Sequence, residues 1–239
     1  MRCPECMRER TRVTVGVGEP SLFGTAPATF VLIAINAVLF LAEIAGGAGG
    51  LNGSGSTLIN DFGLRGSAVA GGEWYRIVSS GFLHAGLLHL AFNMIALYFL
   101  GRMLEPSIGT LRFCFLYGAS LFAGAFGALL LTSPGAVTVG ASGAIFGLFG
   151  AAFVIARGRG FDSVATTIGV VLLFNLAYTF GNPDISLGGH LGGLVGGVVC
   201  AFAIIAGDRG AFGSRRLPAE LIAMTAIAVV SIVGSLAVA

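Results

Sequence analysis

The sequence has very little charge. Only 10% of its 239 residues are Asp, Glu, Lys or Arg, and it contains no lysine. Hydrophobic residues make up 56% of the chain, and the mean hydropathy is +0.93. A soluble domain of this length carries far more charge, about a quarter of its residues. The composition therefore excludes a soluble globular protein and predicts a chain that lies largely in a lipid bilayer.

Further absences narrow the fold and the classes of function. The sequence lacks the alternating segments of about ten residues that form membrane β-barrel strands. Backbone groups in lipid must then be satisfied within helices. The sequence also lacks a phosphate-binding loop, a nucleic-acid-binding motif and a complete set of metal ligands. We therefore predict an all-α, polytopic transmembrane helical bundle that binds no nucleic acid and uses no cofactor.

The predicted helices are apolar segments long enough, at roughly 16–23 residues, to cross a hydrocarbon core of about 30 Å. The first begins too late, and lacks the cleavage site, for a cleavable signal peptide. We divide the chain into an N-terminal segment 1–26, a six-helix core 27–206, and a loop with an additional C-terminal helix 207–239. The seven predicted spans are residues 27–45, 83–101, 111–131, 140–156, 163–180, 186–206 and 217–238.

Arginine is distributed unevenly among the connections between these spans. Eleven of the thirteen arginines precede span one, or lie in or directly beside the connections between spans two and three, four and five, and six and seven. Arg65 and Arg76 alone lie on the opposite side. Because basic residues are enriched in cytoplasmic loops, we predict a cytoplasmic N-terminus, an external C-terminus and a multi-pass protein of the inner (plasma) membrane.

Polar residues that can carry chemistry lie near the external ends of three predicted spans. His84 and His89 fall in the first turns of span two, Ser142 at the start of span four, and His190 about four residues into span six. At 1.5 Å of rise per residue, all lie roughly 5–10 Å below the outer helix ends. Titratable side chains in lipid are costly and commonly functional. Their shared depth predicts one water-accessible site that opens outward.

Glycine, with 39 residues, supplies surfaces that would bring these side chains together. Small residues four apart let two helix backbones approach closely, so spans four and six can place Ser142 within hydrogen-bond reach of His190. Phe146, one turn after Ser142, offers a flat ring to support an imidazole. The glycine ridges are Gly143, Gly147 and Gly150 on span four, and Gly189, Gly193, Gly197 with Gly188, Gly192, Gly196 on span six.

Serine beside histidine is the minimal equipment for nucleophilic acyl chemistry, because the hydroxyl needs an adjacent base. Each motif alone has another reading. A GxSG run also fits helix packing, and a histidine in a membrane helix also fits metal binding, proton relay or helix bridging. The conjunction favours catalysis: GASG at 140–143, a glycine-flanked His190, and His89 with Asn93 on one helix face.

In these motifs the sequence resembles the rhomboid family of intramembrane serine proteases, over about residues 70–206. GASG matches the family's GxSG motif, GGHLGGLVGG its histidine motif, and HAGLLHLAFNM its HxxxxHxxxN pattern. WYR at 74–76 is close to its Trp-Arg motif, and GRMLEPSIG at 101–109 is similar to its GxxxExxxG run. The chain differs at Phe146, where many relatives have tyrosine.

The resemblance implies an endopeptidase that cleaves in or near transmembrane helices of membrane-protein substrates. Ser142 would be the nucleophile, and His190 the general base and later acid. The oxyanion hole would be formed by His89, Asn93 and the backbone N–H of Ser142. A carboxylate third member is not evident at this depth, so we expect a Ser–His dyad. The supporting residues would be His84 at the mouth of the site, Phe146, Gly140 and Gly143.

The sequence alone leaves two alternative functions to consider. A catalytically silent relative could bind membrane clients; such relatives commonly lose the serine or histidine, or place proline before the serine, whereas Ala141 precedes an intact Ser142 here. A small transporter with a histidine-lined cavity is disfavoured, because the chain shows no two-half repeat with paired broken helices.

The expected partners are transmembrane protein substrates and the lipid bilayer. The sequence does not specify an oligomeric state.

Cys3 and Cys6 form a CxxC pair in the N-terminal segment, which is half of a zinc-ribbon knuckle. Zinc requires four ligands, and the remaining cysteines, Cys114 and Cys200, lie within predicted spans. We therefore predict no complete metal site in the chain. The CxxC pair resembles part of a small zinc-ribbon extension.

Overall fold

The computed structural model describes residues 26–46 and 56–239. Within these ranges the protein is helical, and a single bridge between Leu64 and Thr138 stands in place of any strand. This confirms the all-α prediction. Cys3 and Cys6, for which a partial zinc site is predicted, lie outside the described residues. The helices are α1 (Pro27–Ala45), α2 (Thr57–Phe62), α3 (Gly66–Ala70), α4 (Arg76–Ser79), α5 (Leu87–Ile108), α6 (Thr110–Leu131), α7 (Ser142–Gly158), α8 (Asp162–Gly181), α9 (Leu187–Asp208) and α10 (Arg216–Val238).

Each of the seven predicted apolar spans forms a helix. Six of the described helices, α1, α5, α6, α8, α9 and α10, are long and apolar enough to cross a membrane. The seventh, α7, is apolar but has only 17 residues. At 1.5 Å per residue it is about 26 Å long, which is less than the hydrocarbon thickness of about 30 Å. Its first residue, Ser142, can therefore lie below the membrane surface.

Helices α6 and α9 form the centre of the bundle. In α6, 56% of the most apolar 18-residue stretch is buried, and in α9 50% is buried, against only 17% in α8 and in α10. Helix α6 packs against α7, α9 and α10, whereas α8 packs mainly against α7. The short helix that begins with Ser142 is therefore enclosed by its neighbours, and α8 lies at the periphery.

One glycine ridge of α9 faces α7, as the sequence predicts. A Cβ atom added to Gly193 would lie 1.9 Å from the carbonyl oxygen of Gly143. One added to Gly197 would lie 2.0 Å from the carbonyl oxygen of Gly147. Real Cβ atoms do not approach so closely, so these two helices are in backbone contact. The approach holds the beginnings of α7 and α9 side by side.

The second glycine ridge of α9 faces α6 in the same way. A Cβ atom at either of its first two positions would lie within 2.3 Å of a carbonyl oxygen of α6. Helix α9 is therefore clamped between two helices at backbone distance, which explains its central position. The contacts are Gly188 on Gly127 and Gly192 on Ala123.

Helix α5 begins later, and ends later, than the predicted span. It runs from Leu87 to Ile108, because Gly86, with φ +116°, precedes the first helical residue. His84 therefore lies in the connection before α5 rather than in its first turn, which corrects the predicted placement. His89 remains in the first turn.

Glu105 braces one end of the bundle. Its carboxylate accepts hydrogen bonds from the backbone N–H of Ala28 at 3.0 Å and of Thr29 at 2.9 Å, and from the Thr29 hydroxyl at 2.7 Å. It also accepts one from the Thr110 hydroxyl at 2.9 Å. These groups begin α1 and α6, where backbone N–H groups lack acceptors within the helix. One buried carboxylate thus ties α5 to α1 and α6.

Helix α10 is attached to the core at the same end by an ion network. Glu220 is completely buried and pairs with Arg112 of α6 and with Arg216, whose Nε lies 2.9 Å from its carboxylate. Asp208 at the end of α9 pairs with Arg216 and, at 2.8 Å, with Arg159. The additional C-terminal helix is therefore joined to α6 and α9 by specific side chains as well as by apolar packing.

Arg76 of the WYR motif organises the long segment between α1 and α5. Its guanidinium donates to the carbonyl oxygens of Asn60 at 2.8 Å and Gly63 at 2.9 Å, and to the Glu73 carboxylate at 2.6 Å. The hydrogen bond from Arg76, with a second from Tyr75, holds the pKa of Glu73 below its usual value. Trp74 of the same motif is exposed.

Candidate active site

Ser142 and His190 meet where α7 and α9 begin. The Nε2 atom of His190 lies 2.9 Å from the Oγ atom of Ser142, and only 7% of His190 is exposed. Ser142 is the first residue of α7, and His190 lies in the first turn of α9. The sequence predicted this pairing from the glycine ridges. The contact places a hydroxyl beside an imidazole, which is the pairing that nucleophilic catalysis by serine requires.

Phe146 supports the imidazole as the spacing predicts. Its ring lies 3.9 Å from that of His190, centroid to centroid, and the two planes differ by 17°. Phe146 is itself buried and packs edge-on against Phe149. The stack restricts the plane of the His190 ring while leaving both ring nitrogens at its edge.

Thr179 is a site residue that the sequence analysis missed. Its Oγ1 atom lies 2.7 Å from the Nδ1 atom of His190, and the threonine is 3% exposed. It lies near the end of α8, eleven residues before His190, across the turn between α8 and α9. The hairpin formed by α8 and α9 brings the end of α8 to the depth of the beginning of α9, but the sequence does not indicate which face of α8 meets His190.

His89 faces the GxSG segment from α5. Its Nδ1 atom accepts a hydrogen bond from the backbone N–H of Ala85 at 3.3 Å. In a neutral imidazole the other nitrogen then carries the hydrogen. A Cβ atom on Gly140 would lie 2.8 Å from His89 Nε2 and 3.6 Å from Ser142 Oγ. Gly140 has φ +125° and leaves the space in which the His89 N–H approaches the serine.

The other two donors of the predicted oxyanion hole are Asn93 and the backbone N–H of Ser142. Asn93 is buried and donates one amide hydrogen to the carbonyl oxygen of His89 at 2.8 Å, which leaves its second amide hydrogen for another acceptor. The backbone N–H of Ser142 lies in the first turn of α7, where it has no acceptor within the helix. The partial positive charge of the helix N-terminus favours a developing anion there.

His84 does not occupy the mouth of the site. It is completely buried, and its backbone N–H donates to the Glu43 carboxylate at 3.1 Å. Its ring packs edge-on against His89 at a centroid distance of 5.1 Å. The predicted position of His84 at the mouth of the site is therefore wrong, because the chain before α5 turns inward. Its contact with His89 makes it a support for that ring.

No group of three or more His, Cys, Asp or Glu residues that could hold a metal ion is found in the described part of the chain. Cys114 and Cys200, on α6 and α9, are both free thiols.

The helical bundle, with Ser142 and His190 in contact where two of its helices begin, defines a polytopic membrane protein. The rhomboid domain model matches residues 71–207, which is more than half of the chain. The chain therefore belongs to the rhomboid family. The matched residues include both members of the pair as well as His89 and Thr179.

Three relatives show the extent of the likeness. The chain is 36% identical over 204 residues to rhomboid protease GluP of Bacillus subtilis, which covers 83% of this chain and 39% of GluP. It is 36% identical over 140 residues to the putative rhomboid protease YdcA of the same organism, covering 57% of this chain and 70% of YdcA. RHOMBOID-like protein 5 of Arabidopsis thaliana is 36% identical over 143 residues, 57% of this chain and 46% of that relative. The chain thus spans about two fifths of the length of GluP.

Proposed function

We propose that this protein is a serine endopeptidase that hydrolyses peptide bonds in or near the transmembrane helices of membrane-protein substrates. The observation that carries the proposal is the 2.9 Å contact between Ser142 Oγ and His190 Nε2. The contact lies at the N-terminus of a helix, with the His89 N–H directed toward the same segment. The relatives named as rhomboid proteases support the same activity.

The chemistry follows from which atoms can move a proton. Ser142 Oγ attacks the scissile carbonyl carbon while its hydrogen passes to His190 Nε2. The resulting oxyanion accepts hydrogen bonds from His89, Asn93 and the backbone N–H of Ser142. When the C–N bond breaks, the leaving amine takes the proton from His190 and an ester to Ser142 remains. A water molecule, deprotonated by His190, hydrolyses that ester and restores the serine.

The substrate must present an extended peptide bond to this pair. A peptide bond within a helix is shielded by its own hydrogen bonds, so the substrate helix must unwind locally before attack. We therefore expect helix-destabilising residues near the cleavage site. A small residue before the scissile bond is the corresponding expectation from the family.

The proposal is tested by incubating the purified protein, as wild type and as Ser142→Ala, with a panel of single-span membrane proteins. Wild type should produce defined fragments and react covalently with a fluorophosphonate at Ser142, located by mass spectrometry of the labelled peptide. The Ser142→Ala variant should do neither. A folded wild-type protein that binds substrates but neither cleaves them nor reacts with the probe would instead be a catalytically silent member of the family.

Removing the proposed oxyanion donors should slow cleavage without abolishing the nucleophile. We expect His89→Ala and Asn93→Ala each to lower turnover by about 10–1000-fold, because each removes one donor to the developing negative charge. Ser142 should retain measurable reactivity with the fluorophosphonate in both variants. Turnover is measured as the initial rate of fragment release at saturating substrate. If folded His84→Ala loses more turnover than His89→Ala, the donor has been assigned to the wrong histidine.

The orientation in the membrane is tested by a matched pair of exposed serines. Ser133 follows α6 and lies on the proposed external side, whereas Ser163 lies in the first turn of α8 on the proposed cytoplasmic side. In a background lacking the four native cysteines, Ser133→Cys should react with an impermeant thiol reagent applied to intact cells. Ser163→Cys should react only after permeabilisation. The reverse pattern would place the active site toward the cytoplasm.

A further inference from the structure

The second nitrogen of the proposed catalytic imidazole faces a neutral hydroxyl. His190 Nδ1 lies 2.7 Å from Thr179 Oγ1, and that oxygen also lies 2.8 Å from the carbonyl oxygen of Asn175. We infer that Thr179 is a positioning residue that fixes the tautomer and the orientation of His190. The inference rests on the proposed function, because it assigns this task within the same site.

The number of hydrogens available to each group determines which atom donates in each of these hydrogen bonds. A carbonyl oxygen only accepts, and a threonine hydroxyl has a single hydrogen to donate. If that hydrogen goes to Asn175, the Thr179 oxygen must accept a hydrogen from His190 Nδ1. His190 Nε2 is then unprotonated and accepts from Ser142 Oγ. This is the tautomer that a general base requires, because the hydrogen bond made by one ring nitrogen determines the state of the other.

The surrounding contacts divide the task of holding the ring. The stack on Phe146 restricts the plane of the imidazole. Stacking alone allows the ring to turn within that plane, which would carry Nε2 away from the serine. The hydrogen bond to Thr179, on the edge opposite Ser142, opposes that rotation. Together the two contacts leave one orientation in which Nε2 faces the nucleophile.

A hydroxyl suits this position in an apolar bundle. An ionised carboxylate buried here would carry a large desolvation cost, whereas a threonine accepts a hydrogen bond while remaining neutral. The acceptor also comes from α8, the peripheral helix whose most apolar stretch is only 17% buried. The orientation of the base therefore depends on the position of a helix that is held mainly by α7.

The inference predicts a loss of turnover that a conservative replacement restores. Thr179→Val keeps the shape of the side chain but removes the acceptor, so Nδ1–H is left without a partner in a buried site. We expect kcat to fall about 10–100-fold. KM should change little, because the contact of Thr179 is with the proposed base and not with the substrate. Thr179→Ser should retain at least half of the wild-type kcat. The control is Thr167→Val, which removes an exposed hydroxyl that bonds the Ser163 carbonyl on the same helix.

A second measurement separates this inference from the proposed function. Nitrogen-15 NMR of labelled histidines, with His190 assigned by comparison with His190→Gln, reports which ring nitrogen carries hydrogen whether or not the protein cleaves. Wild type and Thr179→Ser should show hydrogen on Nδ1, and Thr179→Val should show a mixture or the other tautomer. Hydrogen on Nε2 in wild type, or an unchanged His190 spectrum in Thr179→Val, would overturn the inference. Wild-type protein with this tautomer but without cleavage or probe labelling would overturn the proposed function alone.

Discussion

Ser142→Ala, His190→Ala and the double variant are expected to reduce cleavage to the same residual rate. Ser142 Oγ and His190 Nε2 are 2.9 Å apart. In the proposed mechanism they act as one proton-transfer unit. Removing Ser142 leaves no nucleophile for His190 to activate, and removing His190 leaves the serine hydroxyl without a base. Effects of residues that work as a unit are strongly non-additive, and each single change should cost about 10⁴-fold or more. The residual rate reports what the oxyanion donors and substrate binding contribute alone.

The measurement is the single-turnover rate of fragment release for the four proteins at one substrate concentration in the same detergent. Thermal unfolding tests whether each variant is folded. We expect Ser142→Ala to be as stable as wild type, since the serine hydroxyl contributes little packing volume. Ser163→Ala is a matched control, because it removes a serine hydroxyl from the first turn of another helix. A double variant much slower than either single variant would show that the two residues act independently. That result would contradict the dyad.

The Ser–His contact could be anticipated because several of its causes are local in sequence. Apolar length determines which segments form membrane helices, and glycines four residues apart determine which faces approach. Gly193 and Gly143 therefore indicated that α7 and α9 would meet. The stack of Phe146 on His190 follows from the same pairing, since residues four apart share a helix face.

The contact of Thr179 with His190 and the buried position of His84 could not be predicted from the sequence, for different reasons. A threonine near a helix end usually bonds the carbonyl four residues earlier, and Thr179 does so with Asn175. Its additional contact with His190 depends on the rotation of α8 about its axis, which the weak amphipathic pattern of a lipid-facing helix does not specify. His84 was misplaced because the break before α5 depends on the backbone conformation of Gly86. Because α5 starts four residues later than predicted, His84 lies in a buried turn and not in the helix.

Gly193→Ala should be among the most damaging single-methyl changes in the described part of the bundle. The added carbon would lie 1.9 Å from the carbonyl oxygen of Gly143 and 2.6 Å from its carbonyl carbon. Neither partner is a flexible side-chain end, so α7 and α9 must separate. Overpacking of this kind costs about 3 kcal/mol of stability. Gly193 lies one turn after His190, and Gly143 follows Ser142, so the separation acts directly on the catalytic contact.

The comparison is with Gly118→Ala on α6, where an added Cβ atom meets nothing within 4 Å. That control should be neutral or slightly stabilising, because alanine is favoured over glycine within a helix by about 0.5–1 kcal/mol. Thermal unfolding measures the stability of both variants, and initial cleavage rates measure turnover. A misplacement of about 1 Å at a reacting pair can cost on the order of 100-fold. If Gly193→Ala matches wild type in both measurements, backbone contact between α7 and α9 does not set the Ser142–His190 distance. The orientation imposed on His190 by Phe146 and Thr179 would then have to be sufficient.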